Sequence, residues 1–70
     1  MTGKINDITD VTRRLDRISE AKGDYEVAHG MEDNLYKDVL RAIANGTPDP
    51  RGLATMALVA EGIDFPRYTA

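Results

Sequence analysis

The sequence predicts an all-α fold, a small domain of three helices followed by an irregular aromatic tail. Three observations indicate this class. Apolar residues recur at spacings of three and four, a residue typical of helix starts precedes each such segment, and glycine follows where each segment ends. No stretch alternates polar and apolar residues as a half-buried strand does. We expect helices at about 7–22, 24–45 and 50–61, with the second helix central.

The composition indicates a single small domain spanning 1–70. At 70 residues the gain from burying apolar surface only narrowly exceeds the entropic cost of ordering the chain. The chain has no cysteine, which fits a reducing compartment, and its N-terminal segment lacks the apolar core of a signal peptide. No apolar run approaches the ~20 residues that cross a bilayer. We therefore expect a cytoplasmic protein with no membrane partner.

The first helix is expected to begin at Asn6 or Asp7, both of which are N-cap residue types. Lys22 and Gly23 form its stop, because lysine suits the last turn and glycine accepts left-handed backbone geometry. Its apolar residues follow the rhythm of a heptad: Ile8, Val11, Leu15 and Ile18. This seam predicts packing either on the rest of the domain or on the same helix of a second chain.

The second helix has both ends marked, with Asp24 as the N-cap and Asn45-Gly46 as the stop. Its apolar face is wide, which is typical of a helix with more than one neighbour. Two rows of side chains form that face: Met31, Leu35, Val39 and Ala42, then Tyr36, Leu40 and Ile43. Gly30 is discordant, because glycine inside a helix costs up to ~1 kcal/mol relative to alanine. It predicts close packing, a kink or a later helix start.

The third helix is expected to begin at Asp49 and Pro50, an N-cap carboxylate followed by proline at the first helical position. Gly62 ends it. Its apolar stripe consists of Leu53, Met56, Ala57 and Ala60. Leu58 and Val59 fall outside this stripe, which predicts either burial on a second side or apolar surface for a partner.

The C-terminal tail combines a helix-breaking Pro66 with aromatic and basic residues. We expect Ile63 and Phe65 to fold back as a lid on the core. The alternative is an exposed interface, because Phe65, Arg67 and Tyr68 are residue types enriched in binding hot spots. With the lid favoured, the predicted core contains Val11, Leu15, Ile18, Met31, Leu35, Val39, Ile43, Leu53, Met56 and Phe65.

One side of the second helix carries the side chains best able to bind a metal or transfer a proton. They lie at i, i+3, i+4 and i+7: His29, Glu32, Asp33 and Tyr36. A histidine and a carboxylate one turn apart can ligate a metal or share a proton. One helix supplies at most two good ligands, however, and the chain has no second histidine and no cysteine. We therefore predict no metal, no cofactor and no catalytic residue here, and interpret the four side chains as a surface for a partner protein.

Signatures of other enzyme chemistry are missing from the sequence. The serine and threonine residues lie in no nucleophile-elbow motif, and no second base accompanies His29. The segment 46–49 lacks the lysine and the spacing of a phosphate-binding loop. These observations predict a protein that is not an enzyme.

Arg13, Arg14 and Arg17 form the one basic cluster. Two of them lie one turn apart and could contact DNA phosphates, and the junctions between helices are near the length found in helix-turn-helix units. Acidic residues interleave with them, namely Asp10, Asp16 and Glu20, and the whole chain carries a net charge of −3. We favour a neutralised helix surface, and a DNA-binding regulator is the alternative function.

From Asp24 onward the chain resembles a group of short, uncharacterised proteins of actinobacteria and their phages. The resembling elements are AHGMEDNLYKDVLRAIANG, DPRGLA and the closing IDFPRY. The resemblance implies a small cytoplasmic protein, such as a phage accessory factor that acts on a host protein, and it supplies no active site. Residues 1–23 lie outside it, so we interpret the first helix as an N-terminal extension that sets oligomeric state or partner choice.

The predicted function is a non-enzymatic protein-interaction or regulatory module with a protein partner. A homodimer through residues 7–22 is a second prediction. If it forms, Leu15→Asp is expected to disrupt dimerisation as well as stability. A monomeric mass by light scattering at high concentration would contradict the dimer.

Overall fold

The computed structural model describes residues 4–67. Its elements are α1 Ile8–Glu20, α2 Tyr25–Ala44, α3 Pro50–Leu58 and a 3-10 turn Val59–Gly62. No strand occurs in this range, so the predicted all-α class with three helices is confirmed. The third α-helix is shorter than predicted. It ends at Leu58, and the chain continues as a 3-10 turn from Val59. No helix among residues 4–67 combines the length and the apolar character needed to cross a membrane.

An aspartate caps the start of each α-helix. Asp7, Asp24 and Asp49 each accept a hydrogen bond from the backbone N–H three residues further on, at 3.1, 3.4 and 3.0 Å. Asp10 strengthens the first cap, because it accepts a 2.8 Å bond from the Asn6 N–H, which holds the pKa of its carboxyl below the usual value. The first N–H groups of a helix have no partner inside it, and the aspartates supply one. The helix starts that these residues predicted are therefore confirmed.

The end of α2 depends on a glycine in the left-handed region. Gly46 has a φ of 85°. Its N–H bonds the Ile43 carbonyl at 3.1 Å, and the Thr47 N–H bonds the Ala42 carbonyl at 3.0 Å. This pair of bonds is the Schellman arrangement, which satisfies the last carbonyls of the helix.

Substituting this glycine has a predictable cost. We expect Gly46→Ala to lower the free energy of unfolding by about 1 kcal/mol, because a Cβ disfavours the left-handed region. Gly30→Ala is the matched control, expected to stabilise by roughly 0.5–1 kcal/mol. Gly30 lies exposed within α2, and an added Cβ meets no atom within 4 Å. Urea denaturation measures both, and effects of the same sign would contradict this account.

Two of the explanations that the sequence suggests for Gly30 are wrong. Because α2 begins at Tyr25 and continues through Gly30, a later helix start is wrong. Close packing does not explain the glycine either, since open space surrounds it.

The core lies where the three α-helices meet, and the tail closes it. Val11, Ile18, Leu35 and Leu53 have the largest fully buried side chains. Of the predicted core, Leu15, Val39 and Phe65 are also buried, while Met31, Ile43 and Met56 are partly buried against it. The predicted core omitted four buried apolar residues: Ile5, Ala28, Ala57 and Ala60. Three of these are alanines, which lets the helices approach closely.

Helix α1 packs on both α2 and α3 within the same chain. This packing buries most of the apolar seam, namely Val11, Leu15 and Ile18. Ile8 is the one seam residue that remains exposed. The first helix is therefore an integral part of the domain. Leu15→Asp would disrupt the fold of a single chain, so that substitution does not report on dimerisation.

Candidate functional site

The four candidate residues of α2 form two pairs that differ in environment. His29 and Asp33 lie at the surface, with the imidazole Nε2 3.7 Å from the carboxylate Oδ1. Glu32 and Tyr36 lie at the edge of the core, and Glu32 is only 4% exposed. The signal for this burial is its position four residues after Ala28, within the apolar face of the helix.

The buried carboxylate of Glu32 is held by the C-terminal tail. Arg67 donates to both of its oxygens, Nε to Oε1 at 2.9 Å and Nη2 to Oε2 at 3.2 Å. The Tyr36 hydroxyl donates to the same Oε2 at 3.0 Å. We call Glu32, Tyr36 and Arg67 the clamp. This forked geometry is the strongest form of a carboxylate–arginine contact.

Arg67 also organises the tail, which we call the strap, residues 63–67. Its guanidinium donates to the carbonyls of Ala60 and Ile63 at 2.9 Å each and to that of Phe65 at 3.3 Å. The guanidinium carbon lies 3.9 Å from the centroid of the Phe65 ring, a cation–π contact. One side chain therefore fixes the strap conformation and attaches it to α2.

The position of the strap confirms the prediction that the tail folds back as a lid on the core. Phe65 is 6% exposed, and Ile63 packs partly buried against the core. Phe65 thus completes the core instead of presenting a ring to solvent. Tyr68, another interface candidate, lies outside the described residues.

The clamp perturbs the ionisation of Tyr36. Burial, followed by the hydrogen bond to Glu32 and the charge of that carboxylate, raises the pKa of the phenol from 10.0 to about 12. The folded chain therefore retains this proton at pH values where an unfolded tyrosine loses it.

This shift predicts a loss of stability at alkaline pH. Between pH 10 and about 12 the unfolded state ionises Tyr36 and the folded state does not. Unfolding is therefore favoured progressively as pH rises through that window. Thermal midpoints measured from pH 9 to 12 should fall more steeply for the wild type than for Tyr36→Phe. Parallel curves for the two proteins would contradict the shift.

The three arginines of α1 have different environments. Arg14 is largely buried and donates to the Asp38 carboxylate at 3.0 Å, so it serves the α1–α2 contact. Arg13 pairs with Asp10 at 3.3 Å. Arg17 is exposed and forms no ion pair within residues 4–67. The basic cluster therefore does not present three guanidinium groups together.

Asp38 stands at one wall of an open groove of about 650 Å³, between the N-terminal segment and the end of α2. Both of its oxygens are occupied, one by Arg14 and the other by Arg41 at 3.0 Å. The rest of the lining includes Lys4 and Thr47 as well as Ala42, Asn45 and Pro48.

The described part of the chain also contains no group of three metal-ligating side chains close enough to share an ion. No protein-family model, no curated protein and no solved structure matches the chain.

Among residues 4–67, Leu40 is the most exposed large apolar residue, at 64%. It lies between Tyr36 and Ile43, which are partly buried, and the three follow at i, i+4 and i+7 along one side of α2. We call them the α2 stripe. Leu58 and Val59 are exposed at 58% and 54%, so the option of apolar surface beyond the α3 stripe is confirmed.

Proposed function

We propose that this protein is a non-enzymatic interaction module and that a partner protein binds its α2 stripe. The exposure of Leu40 carries the proposal. The core of the chain is already complete without this side chain, so nothing in the fold requires leucine at that position. Burying it under a partner would contribute about 1–2 kcal/mol, a useful anchor for an interface.

The charges on α2 set the orientation that a partner would adopt. Exposed acidic residues occur early in the helix, at Glu26 and Asp33, and exposed basic residues occur late, at Lys37 and Arg41. A partner surface with the reverse order of charge would pair along the helix while its apolar centre covers Leu40. Such complementarity contributes to specificity and association rate more than to affinity.

The cellular setting is part of the same proposal. The resemblance to short proteins of actinobacteria and their phages supports a host protein as the partner. The absence of cysteine supports a reducing compartment, and we place the protein in the cytoplasm on that basis.

The test is affinity capture from host lysate with three tagged proteins. These are the wild type, Leu40→Glu, and Ser19→Glu, which adds the same charge at an exposed position of α1. We expect one protein to be retained in stoichiometric amount by the wild type and by Ser19→Glu but lost from Leu40→Glu. With that partner purified, Leu40→Glu should weaken binding at least ~10-fold. Equal retention by all three would reject the α2 stripe as the binding surface.

Two measurements on the purified wild type address the other functions. A DNA-binding regulator would show affinity that falls steeply with salt and is lost in Arg13→Ala/Arg17→Ala. A metal-dependent enzyme would retain a stoichiometric metal at His29, which elemental analysis detects. We expect neither result, because the arginines are dispersed and Asp33 is the one carboxylate paired with His29 in the described part of the chain.

A further inference from the structure

The strap is attached to the helices by side chains, with almost no backbone pairing. Among the described residues, its one backbone–backbone hydrogen bond runs from the Ile63 N–H to the Ala60 carbonyl, at 3.1 Å. The carbonyls of Ile63 and Phe65 are instead occupied by Arg67, which belongs to the strap itself. The strap therefore carries its own conformation and docks through three side chains. Ile63 packs against the core, Phe65 is buried in it, and Arg67 bonds both Glu32 and the Ala60 carbonyl.

Such a segment can detach while the helices stay folded. The fully buried side chains Val11, Leu35 and Leu53 all belong to the α-helices. Releasing the strap exposes Phe65 and breaks the pair with Glu32 but leaves the packing of those side chains in place. An opening of this kind costs less free energy than global unfolding.

We propose that the strap exchanges between two copies of this chain, so that Arg67 of one copy bonds Glu32 of the other. A second copy carries the same docking site and the same strap. Each interaction that opening breaks within one chain therefore forms again between the two chains. Domain swapping of this type is a low-cost route to a dimer.

The residues just before the strap favour this partner. Leu58 and Val59 are both more than half exposed, and they lie where α3 ends at Leu58 and the 3-10 turn that leads into the strap begins at Val59. Five extended residues reach at most ~17 Å, so exchange brings the 3-10 turns of the two copies close together. Leu58 and Val59 can then be buried between them, which the single chain does not achieve. That burial offsets the entropy lost on association.

The inference goes beyond the proposed function, because it names a different partner and does not depend on Leu40. The two can fail separately. Leu40→Glu leaves the clamp intact, and substitutions at Glu32 and Arg67 leave Leu40 in place.

Charge reversal tests the exchange directly. Glu32→Arg and Arg67→Glu each place like charges together within one chain, but a mixture can restore opposite charges between chains. We expect the two variants, unfolded in urea and refolded together, to give a species of twice the monomer mass with a higher thermal midpoint than either alone. The same-chain control is Glu32→Arg/Arg67→Glu, which can restore its pair without a partner. A mixture that shows only monomer mass, while this control folds, would overturn the proposal.

The wild type supplies an independent measurement that requires no reversed pair. At a chain concentration of ~1 mM, on the order of the effective concentrations of short tethers, sedimentation should detect dimer. The dimer should be lost in Arg67→Ala and reduced in Leu58→Ser/Val59→Ser. A wild type that remains monomeric at that concentration, or a dimer that persists in Arg67→Ala, would overturn strap exchange.

Discussion

Leu35→Ala is expected to lower the free energy of unfolding by roughly 2–5 kcal/mol. Leu35 is 0% exposed and lies in α2, the helix that carries both the α1 contact at Asp38 and the clamp at Glu32. Truncation removes the transfer free energy of the side chain and leaves a cavity between packed helices.

The loss is large compared with the stability available to so short a chain. At ~0.05–0.15 kcal/mol per residue, a chain of this length is stabilised by only about 4–10 kcal/mol. Leu35→Ala should therefore be partly unfolded at 37 °C. Urea denaturation followed by circular dichroism measures the change. Leu40→Ala is the matched control on the same helix, and its midpoint should stay within error of the wild type. Similar losses in both variants would show that Leu35 is not central to the core.

Those features of the fold that depend on neighbouring residues were predictable from the sequence. The caps at Asp7, Asp24 and Asp49 and the stop at Gly46 are local, because each acts through hydrogen bonds to residues within a few positions. The apolar spacing placed most of the core for the same reason. The change from α-helix to a 3-10 turn at Val59 was not predictable. At that point Arg67 occupies the Ala60 carbonyl, and the Ile63 N–H bonds the same carbonyl across three residues.

The candidate site was only partly predictable, because its central contacts join distant parts of the chain. Glu32 and Arg67 are 35 residues apart, and Arg14 and Asp38 are 24 apart. Glu32 and Arg67 were both singled out as interaction candidates, yet the sequence offered no means of pairing them. Helical spacing also grouped Glu32 with His29 as one side of α2. The two separate because the width of the buried face depends on where the strap docks, and helical periodicity alone does not contain that information.

Arg67→Ala is expected to be the second severe substitution, lowering the free energy of unfolding by about 2–3 kcal/mol. Removing one partner of a buried ion pair costs ~3–5 kcal/mol, because the remaining charge stays desolvated. A smaller loss is expected here, since the Arg67 side chain is 31% exposed and water can approach Glu32 once it is gone. The carbonyls of Ala60, Ile63 and Phe65 lose a donor in the same step.

A double variant distinguishes two contributions to the free energy of unfolding: the cost of leaving the buried Glu32 carboxylate unpaired, and the net stabilisation by the ion pair. Glu32→Met/Arg67→Met removes both charges and fills similar volume, so it should be more stable than Arg67→Ala. Arg13→Ala is the surface control, because the Arg13 side chain is 59% exposed in its pair with Asp10, and no measurable change is expected. Urea denaturation at pH 7 ranks the three. If the double variant is as unstable as Arg67→Ala, the loss arises from the strap contacts of Arg67 and not from the buried carboxylate. Full stability in the double variant would instead mean that the clamp contributes specificity, by fixing where the strap docks, with little net free energy.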